Sequence, residues 1–231
     1  MPPPADSQGQ LADFIRARLP LRPTPGIAEI RLHKAEPDSG LRRFIEQTER
    51  GAPYWAHYWG GGLALARHVL DRPDIVRGRR VLDLGAGSGL VAIAAALAGA
   101  ASVSAAEIDD NAIVALGLNL TANGIDADII HRNLLDEAPP PVDIILVGDL
   151  FYERRLAARV IRYLDRCADA GIDSLIGDPY RAFLPRDRLL RVAELTVAET
   201  PNTARPAAIF RLRRDGASNE TGQPTKARSM T

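Results

Sequence analysis

From residue 79 onward the chain alternates apolar runs of strand length with segments of helical period, and that alternation leaves few folds open. RRVLDL (79–84) reads as a buried strand, and a glycine-rich turn leads from it into a helix over Gly89–Ala98. SVSAAEID (102–109) is a second strand, followed by the helix Asn111–Ala122, which Asn123-Gly124 closes. The strands DADIIH (126–131) and VDIILVG (142–148), the helix Glu153–Ala168 and the strand IDSLIG (172–177) continue the series. A shorter helix is expected near Asp187–Ala193, before two alternating runs, ELTVAET (194–200) and AAIFRLR (207–213), spaced like a hairpin. Strands separated by helix-length segments require right-handed crossovers and a parallel sheet covered on both faces. The expected architecture is therefore α/β: a doubly wound, mostly parallel sheet of seven strands with an antiparallel edge strand.

The flanks read differently. Residues 1–50 mix proline, charge and scattered apolar positions, with a helix expected around Leu11–Leu19 and a strand-like run at Ile27–Leu32. They are taken as an N-terminal extension packing on the core. Residues 214–231 are expected to form a disordered tail, because DGASNETGQPTKARSMT offers Met230 as its one large apolar side chain. The 29 basic residues are balanced by 29 acidic ones, which excludes a large uniform electrostatic footprint for nucleic acid and leaves only a local basic patch open; no nucleic-acid partner is expected. The single cysteine, Cys167, excludes a disulfide framework, and the four histidines show no metal-ligand spacing, so no metal is expected. The longest apolar stretch, Leu90–Ala101, is too short for a bilayer, which needs about 20 apolar residues. MPPPADSQGQ lacks a targeting pattern. A cytoplasmic monomer without membrane contact is the expectation.

In VLDLGAGSGL, glycines at 85, 87 and 89 stand between a strand and its helix, where the backbone must turn sharply and a ligand can approach it closely. A dinucleotide loop reads GxGxxG; here the spacing is GxGxG, and Leu90 occupies the place of the third glycine. Asp83, two residues before Gly85, would repel a pyrophosphate but would accept a ligand bearing ammonium and sulfonium charges. The loop residues Asp83, Gly85, Ala86 and Gly87 thus favour S-adenosylmethionine over NAD or FAD. Glu107 ends the next strand, 20 residues after Gly87, where a carboxylate can accept bonds from ribose hydroxyls. Asn133 and Leu134 follow the strand 126–131 and suit an adenine edge and face, although an ordinary loop asparagine fits equally well.

Two further segments carry chemistry. GDLFYE (148–153) places the carboxylates of Asp149 and Glu153 around two aromatic rings, a setting for a cationic acceptor such as lysine. The competing reading has Asp149 capping the next helix and Phe151 in the core. PYWAHYWGGGLALAR (53–67) holds four aromatic side chains within Tyr54–Trp59, followed by a triple glycine and a helix over Leu63–Leu70. That run reads either as a lid over the cofactor or as a wedge holding an N-terminal helix to the sheet. His57, within it, is either a proton acceptor or a hydrogen-bonded structural residue.

Over roughly residues 51–213 these features together resemble the class I S-adenosylmethionine-dependent methyltransferases, which implies a Rossmann-like sheet and S-adenosyl-L-methionine as methyl donor. The prolines of the (D/N)PPY turn found in nucleobase-amine methyltransferases are missing after residue 148, and the DPY at Asp178–Tyr180 follows a later strand, so it reads as a decoy. The aromatic run combined with GDLFYE is similar to the seven-strand protein-lysine methyltransferases, specifically those that modify the beta subunit of electron transfer flavoproteins. That resemblance implies roles for Trp59 at the cofactor, Gly85 and Gly87 in the loop, Glu107 at the ribose and Leu134 at the adenine. It also implies Gly148 at the strand end and Asp149 and Tyr152 on the acceptor side. The implied substrate is a lysine pair in the flavoprotein loop that engages dehydrogenases. Another protein, a small amine, or cofactor binding without transfer are the alternatives.

Overall fold

The computed structural model describes residues 5–48, 51–200 and 203–213, and of residues 5–7 the backbone alone. The expected tail at 214–231 lies outside the described residues.

The N-terminal segment forms helix α1 (Ala5–Arg18), a two-stranded hairpin of β1 (Leu21–Thr24) and β2 (Ile27–His33), and a short helix α2 (Leu41–Gln47). Strand β1 has no counterpart in the sequence reading; it is a four-residue partner that Pro25-Gly26 folds back onto β2. Helix α3 (Gly60–Asp71) then leads into β3 (Arg80–Leu84), α4 (Leu90–Leu97), β4 (Ser102–Glu107), α5 (Asp110–Ala122), β5 (Asp128–His131) and β6 (Ile144–Gly148). Helix α6 (Arg154–Asp169) and strands β7 (Asp173–Asp178), β8 (Leu189–Thr200) and β9 (Thr203–Leu212) complete the described chain.

Seven strands make one sheet in the order β5-β4-β3-β6-β7-β9-β8. Strands β3 to β7 are parallel, whereas β9 runs antiparallel to both β7 and β8, which gives the expected antiparallel edge. Period-two alternation sorts the central side chains between two cores. Val81, Ile144 and Leu146 face α3, α4 and α5, while Leu82, Leu84, Ile145 and Val147 face α6. Helix α6 buries Ala157, Val160, Ile161 and Leu164 at the i, i+3, i+4, i+7 spacing of an amphipathic helix. A third cluster joins Leu11, Ile15 and Leu41 of the N-terminal segment to Trp55 and to Ala112 and Ala115 of α5.

At one element the sequence reading gives the wrong conformation. The helix expected near Asp187–Ala193 is a single 3-10 turn at Arg186–Arg188 followed directly by β8. Leu189, Val192 and Ala193 mimic helical spacing, but the ten residues of β9 supply a ladder from Leu189↔Leu212 onward. Tertiary pairing overrides the local pattern there, and Leu190 and Val192 stay exposed as a result. Among the described residues no helix is long and apolar enough to cross a membrane.

The triple glycine belongs to the first turn of α3 and not to a loop before it. A Cβ at Gly61 would fall 2.2 Å from the carbonyl oxygen of Gly177 on β7, so only glycine lets α3 lie this close to the sheet.

Candidate active site

The strand order reverses beside β3, and there, at the carboxyl ends of β3, β4 and β6, the structure has a cavity of about 530 Å³. All of Trp59, Asp83, Gly85, Ala86, Gly87, Glu107, Asn133, Leu134, Gly148, Asp149 and Tyr152 line it. Residues separated by up to 93 positions in the chain thus meet around a single space, brought there by the carboxyl ends of the parallel strands β3 to β6 and by the start of α3.

The glycine loop leaves β3 with positive φ at Gly85 (75°), Gly87 (54°) and Gly89 (84°). Gly89 precedes α4 and has no side chain with which to cap it. Asp83 supplies the missing acceptor from the strand below: its Oδ2 takes the Ala92 N–H at 2.9 Å. This carboxyl is only 2% exposed, and burial pushes its pKa up to about 7, with Glu107 adding to the effect. The Glu107 carboxylate gathers the loop by accepting the N–H groups of Gly87 (2.8 Å), Ile108 (2.6 Å) and Asp109 (3.0 Å). A carboxylate offers about four lone-pair positions. Three are engaged by backbone, so a ribose diol can use one directly and gains the second only by displacing an amide.

At the other end of the cavity stands Asp149, with φ at 60°, a left-handed conformation uncommon outside glycine. Its Oδ2 accepts the Gly62 N–H of α3 at 2.7 Å, and its Oδ1 takes Arg181 Nη2 at 2.7 Å and Nε at 3.1 Å. Asp149 therefore does not cap the next helix: Glu153 occupies that N-cap, and no side chain bonds the helix start. Burial raises the Asp149 pKa even against the neighbouring guanidinium. Arg181 also lies 5.4 Å over the Trp59 ring. Trp59 is fixed by its Nε1–H, which donates to the Tyr54 carbonyl at 2.9 Å.

The rest of GDLFYE divides. Tyr152 projects into the cavity mouth and is 59% exposed. Phe151 is fully buried in the α6 core, and Glu153 does not line the cavity. The pair of carboxylates flanking two aromatics expected from sequence is therefore one carboxylate, Asp149, in a cavity that Trp59 and Tyr152 also line. Asn133 uses its Oδ1 to accept the Leu135 N–H at 3.0 Å, a local turn, while Leu134 is buried against the cavity wall.

Among the lining residues that the sequence reading missed, Arg181 and Lys34 matter most to the site. Arg181 follows the Asp178–Tyr180 segment that reads as a decoy. Tyr180 itself turns away to Glu194 and Arg191, but the Asp178 carboxylate accepts the Arg181 N–H at 2.7 Å and turns the chain so that the guanidinium returns to Asp149. Its position at the carboxyl end of a parallel strand was the available signal. Lys34 lines the cavity from the N-terminal segment, for which no local pattern exists.

The cavity fits the donor implied by the sequence. Its volume is that of a small-ligand site, a Cβ at Gly87 would meet open space, and the Glu107 carboxylate lines the cavity beside the glycine loop, where ribose hydroxyls can reach it. Fold and site together define a class I S-adenosylmethionine-dependent methyltransferase.

Comparison with known proteins agrees. The family model for ribosomal protein L11 methyltransferase (PrmA) matches residues 65–150. The electron transfer flavoprotein beta subunit lysine methyltransferase of Xenopus laevis is 43% identical over 170 residues, 72% of this chain and 69% of that protein. The rat protein of the same name is 42% identical over 153 residues, 64% of this chain and 60% of its own length. The chain thus spans about 60 to 70% of these relatives. Among solved structures, a candidate RNA methyltransferase from Pyrococcus horikoshii superposes with a TM-score of 0.50 at 19% identity, covering 65% of this chain and 81% of that one, and so shares the fold. The chain belongs to the electron transfer flavoprotein beta subunit lysine methyltransferase family.

Proposed function

We propose that this protein is a protein-lysine N-methyltransferase that transfers methyl groups from S-adenosylmethionine to lysine side chains of the electron transfer flavoprotein beta subunit. In this reading it works in the cytoplasm as a monomer. One observation carries the acceptor chemistry: the Arg181 guanidinium already rests between the Asp149 carboxylate and the Trp59 ring. A carboxylate beside an aromatic face is therefore accessible to a cationic side chain of this same molecule, and a substrate lysine asks for the same contacts. Family membership supplies the choice of lysine and of the flavoprotein.

When bound, S-adenosylmethionine supplies an electrophilic methyl group. The chain's own residues do the rest. Glu107 would hold the ribose, the glycine loop would let the nucleoside approach its backbone closely, and Leu134 would cover the base. Asp149 attracts and orients the lysine ammonium as Arg181 gives way. Attack needs the free amine, and Asp149, whose pKa burial has raised, is a better proton acceptor than an exposed aspartate. Trp59 and Tyr152 keep water from the amine and fix its approach line, which is where rate in an in-line displacement is gained.

The test is incubation of the purified chain with labelled S-adenosylmethionine and the flavoprotein beta subunit. Label on lysine is expected, and Asp149→Asn should abolish it while donor binding by calorimetry survives. Label on RNA instead, or full turnover by Asp149→Asn, would overturn the assignment.

A further inference from the structure

Four side chains lining the cavity are strong cations: Lys34, Arg132, Arg159 and Arg181. Three are neutralised within the protein, Arg132 by Glu137 (3.3 Å), Arg159 by Asp136 (2.6 Å) and Arg181 by Asp149 (2.7 Å). Lys34 differs. It is 5% exposed, and among the described residues it makes no ion pair. Its Nζ donates to the backbone carbonyls of Trp55 and His57, each at 2.8 Å, and lies 4.9 Å above the Tyr58 ring. An ammonium has three N–H groups, so the two carbonyls and the ring hold Lys34 in place without supplying an anion. Burying an uncompensated cation is costly, and here burial draws the pKa down to about 7.

A ligand of this cavity that carries a carboxylate removes that cost. S-adenosylmethionine has one at its amino-acid end, and a carboxylate leaving water must itself find a cation or a set of N–H donors. We infer that Lys34 is the cofactor-anchoring cation of this site, its Nζ pairing with the α-carboxylate of S-adenosylmethionine. The inference rests on the reading that the cavity binds this donor. It assigns a function to the N-terminal segment, since Lys34 directly follows β2 and its two carbonyl partners belong to the aromatic run that roofs the cavity. Cofactor entry then ties three separate pieces of chain together: the hairpin, the aromatic run and the glycine loop.

The experiment compares two ligands that differ by the carboxylate alone, S-adenosylmethionine and its decarboxylated analogue, by isothermal titration calorimetry. Wild type is expected to bind the carboxylated form about 10- to 100-fold more tightly, the worth of one charge-assisted bond between desolvated partners. Lys34→Met should lose that preference and bind both ligands equally, with affinity for the decarboxylated form kept near the wild-type value; Lys34→Arg should restore part of the preference. Equal loss for both ligands in Lys34→Met would mean that the lysine only props the loop, and would overturn the assignment. Should Lys34→Met fail to fold, the wild-type comparison decides alone, because equal affinity for the two ligands refutes the pairing. Wild type binding neither ligand would instead refute the cofactor reading beneath it.

Discussion

Asp83 gives the sharpest quantitative test, because its burial has a sign and a size. Its carboxyl is 2% exposed and titrates near 7 in the folded chain, against 3.8 when unconstrained. An acid whose folded pKa is raised contributes stability that is fully present below the unfolded value. That stability is lost as pH climbs through the folded value, so the loss falls between about pH 4 and pH 7 here. Each pKa unit is worth about 1.4 kcal/mol, so a shift of roughly three units sets a ceiling of about 4 kcal/mol. Asp83→Asn keeps an oxygen to accept the Ala92 N–H and removes the ionisation. Its absolute stability also reflects a buried amide NH₂ in need of a partner, so the informative quantity is the pH dependence. Urea denaturation of wild type and Asp83→Asn at pH 5 and pH 8 should show the gap between them changing by about 2 kcal/mol in favour of the variant. Parallel stability curves over that range would show that Asp83 is charged throughout and that its burial costs nothing measurable.

Two further outcomes follow from the same structure. Gly61→Ala places a Cβ 2.2 Å from the Gly177 carbonyl oxygen and should cost about 3 kcal/mol or more by denaturant midpoint, whereas at Gly62 the nearest atom is 3.9 Å away and the same change should leave stability level or slightly raised; equal effects at both positions would refute the close helix–sheet contact. Arg181→Ala removes the charge opposing the burial of Asp149, so its pKa should rise further and the acid limb of the pH–rate profile should move to higher pH; an unmoved limb would mean that Asp149 is not the titrating group.

The parallel core was legible because its strands are continuously apolar and its helices keep a steady period, so that local pattern and tertiary environment agree from Arg80 to Asp178. Legibility ended where pairing between distant segments decides conformation. Strand β8 carries Leu189, Val192 and Ala193 at helical spacing, and only the presence of β9 makes them a strand. The site shows the same division. Gly85, Gly87 and Glu107 announce themselves through spacing imposed by a strand, a turn and a helix. Lys34 and Arg181 have no such frame, since each owes its place to partners on other elements: the carbonyls of Trp55 and His57 for one, Asp149 for the other. Glu153 failed for a simpler reason, because the chain turns into α6 at that residue and carries its side chain away from the cavity.

The seating of α3 has a mechanical consequence. Glycines are commonly where a polypeptide bends, yet the run at 60–62 is clamped: Gly61 abuts the backbone of Gly177, Gly62 is tied to Asp149, and the Gly60 N–H is held by Glu199 at 2.7 Å. Bending has no room there. Helix α3 and the sheet therefore form one stiff body, and Trp59, at the head of that helix, meets the cavity from a fixed mount.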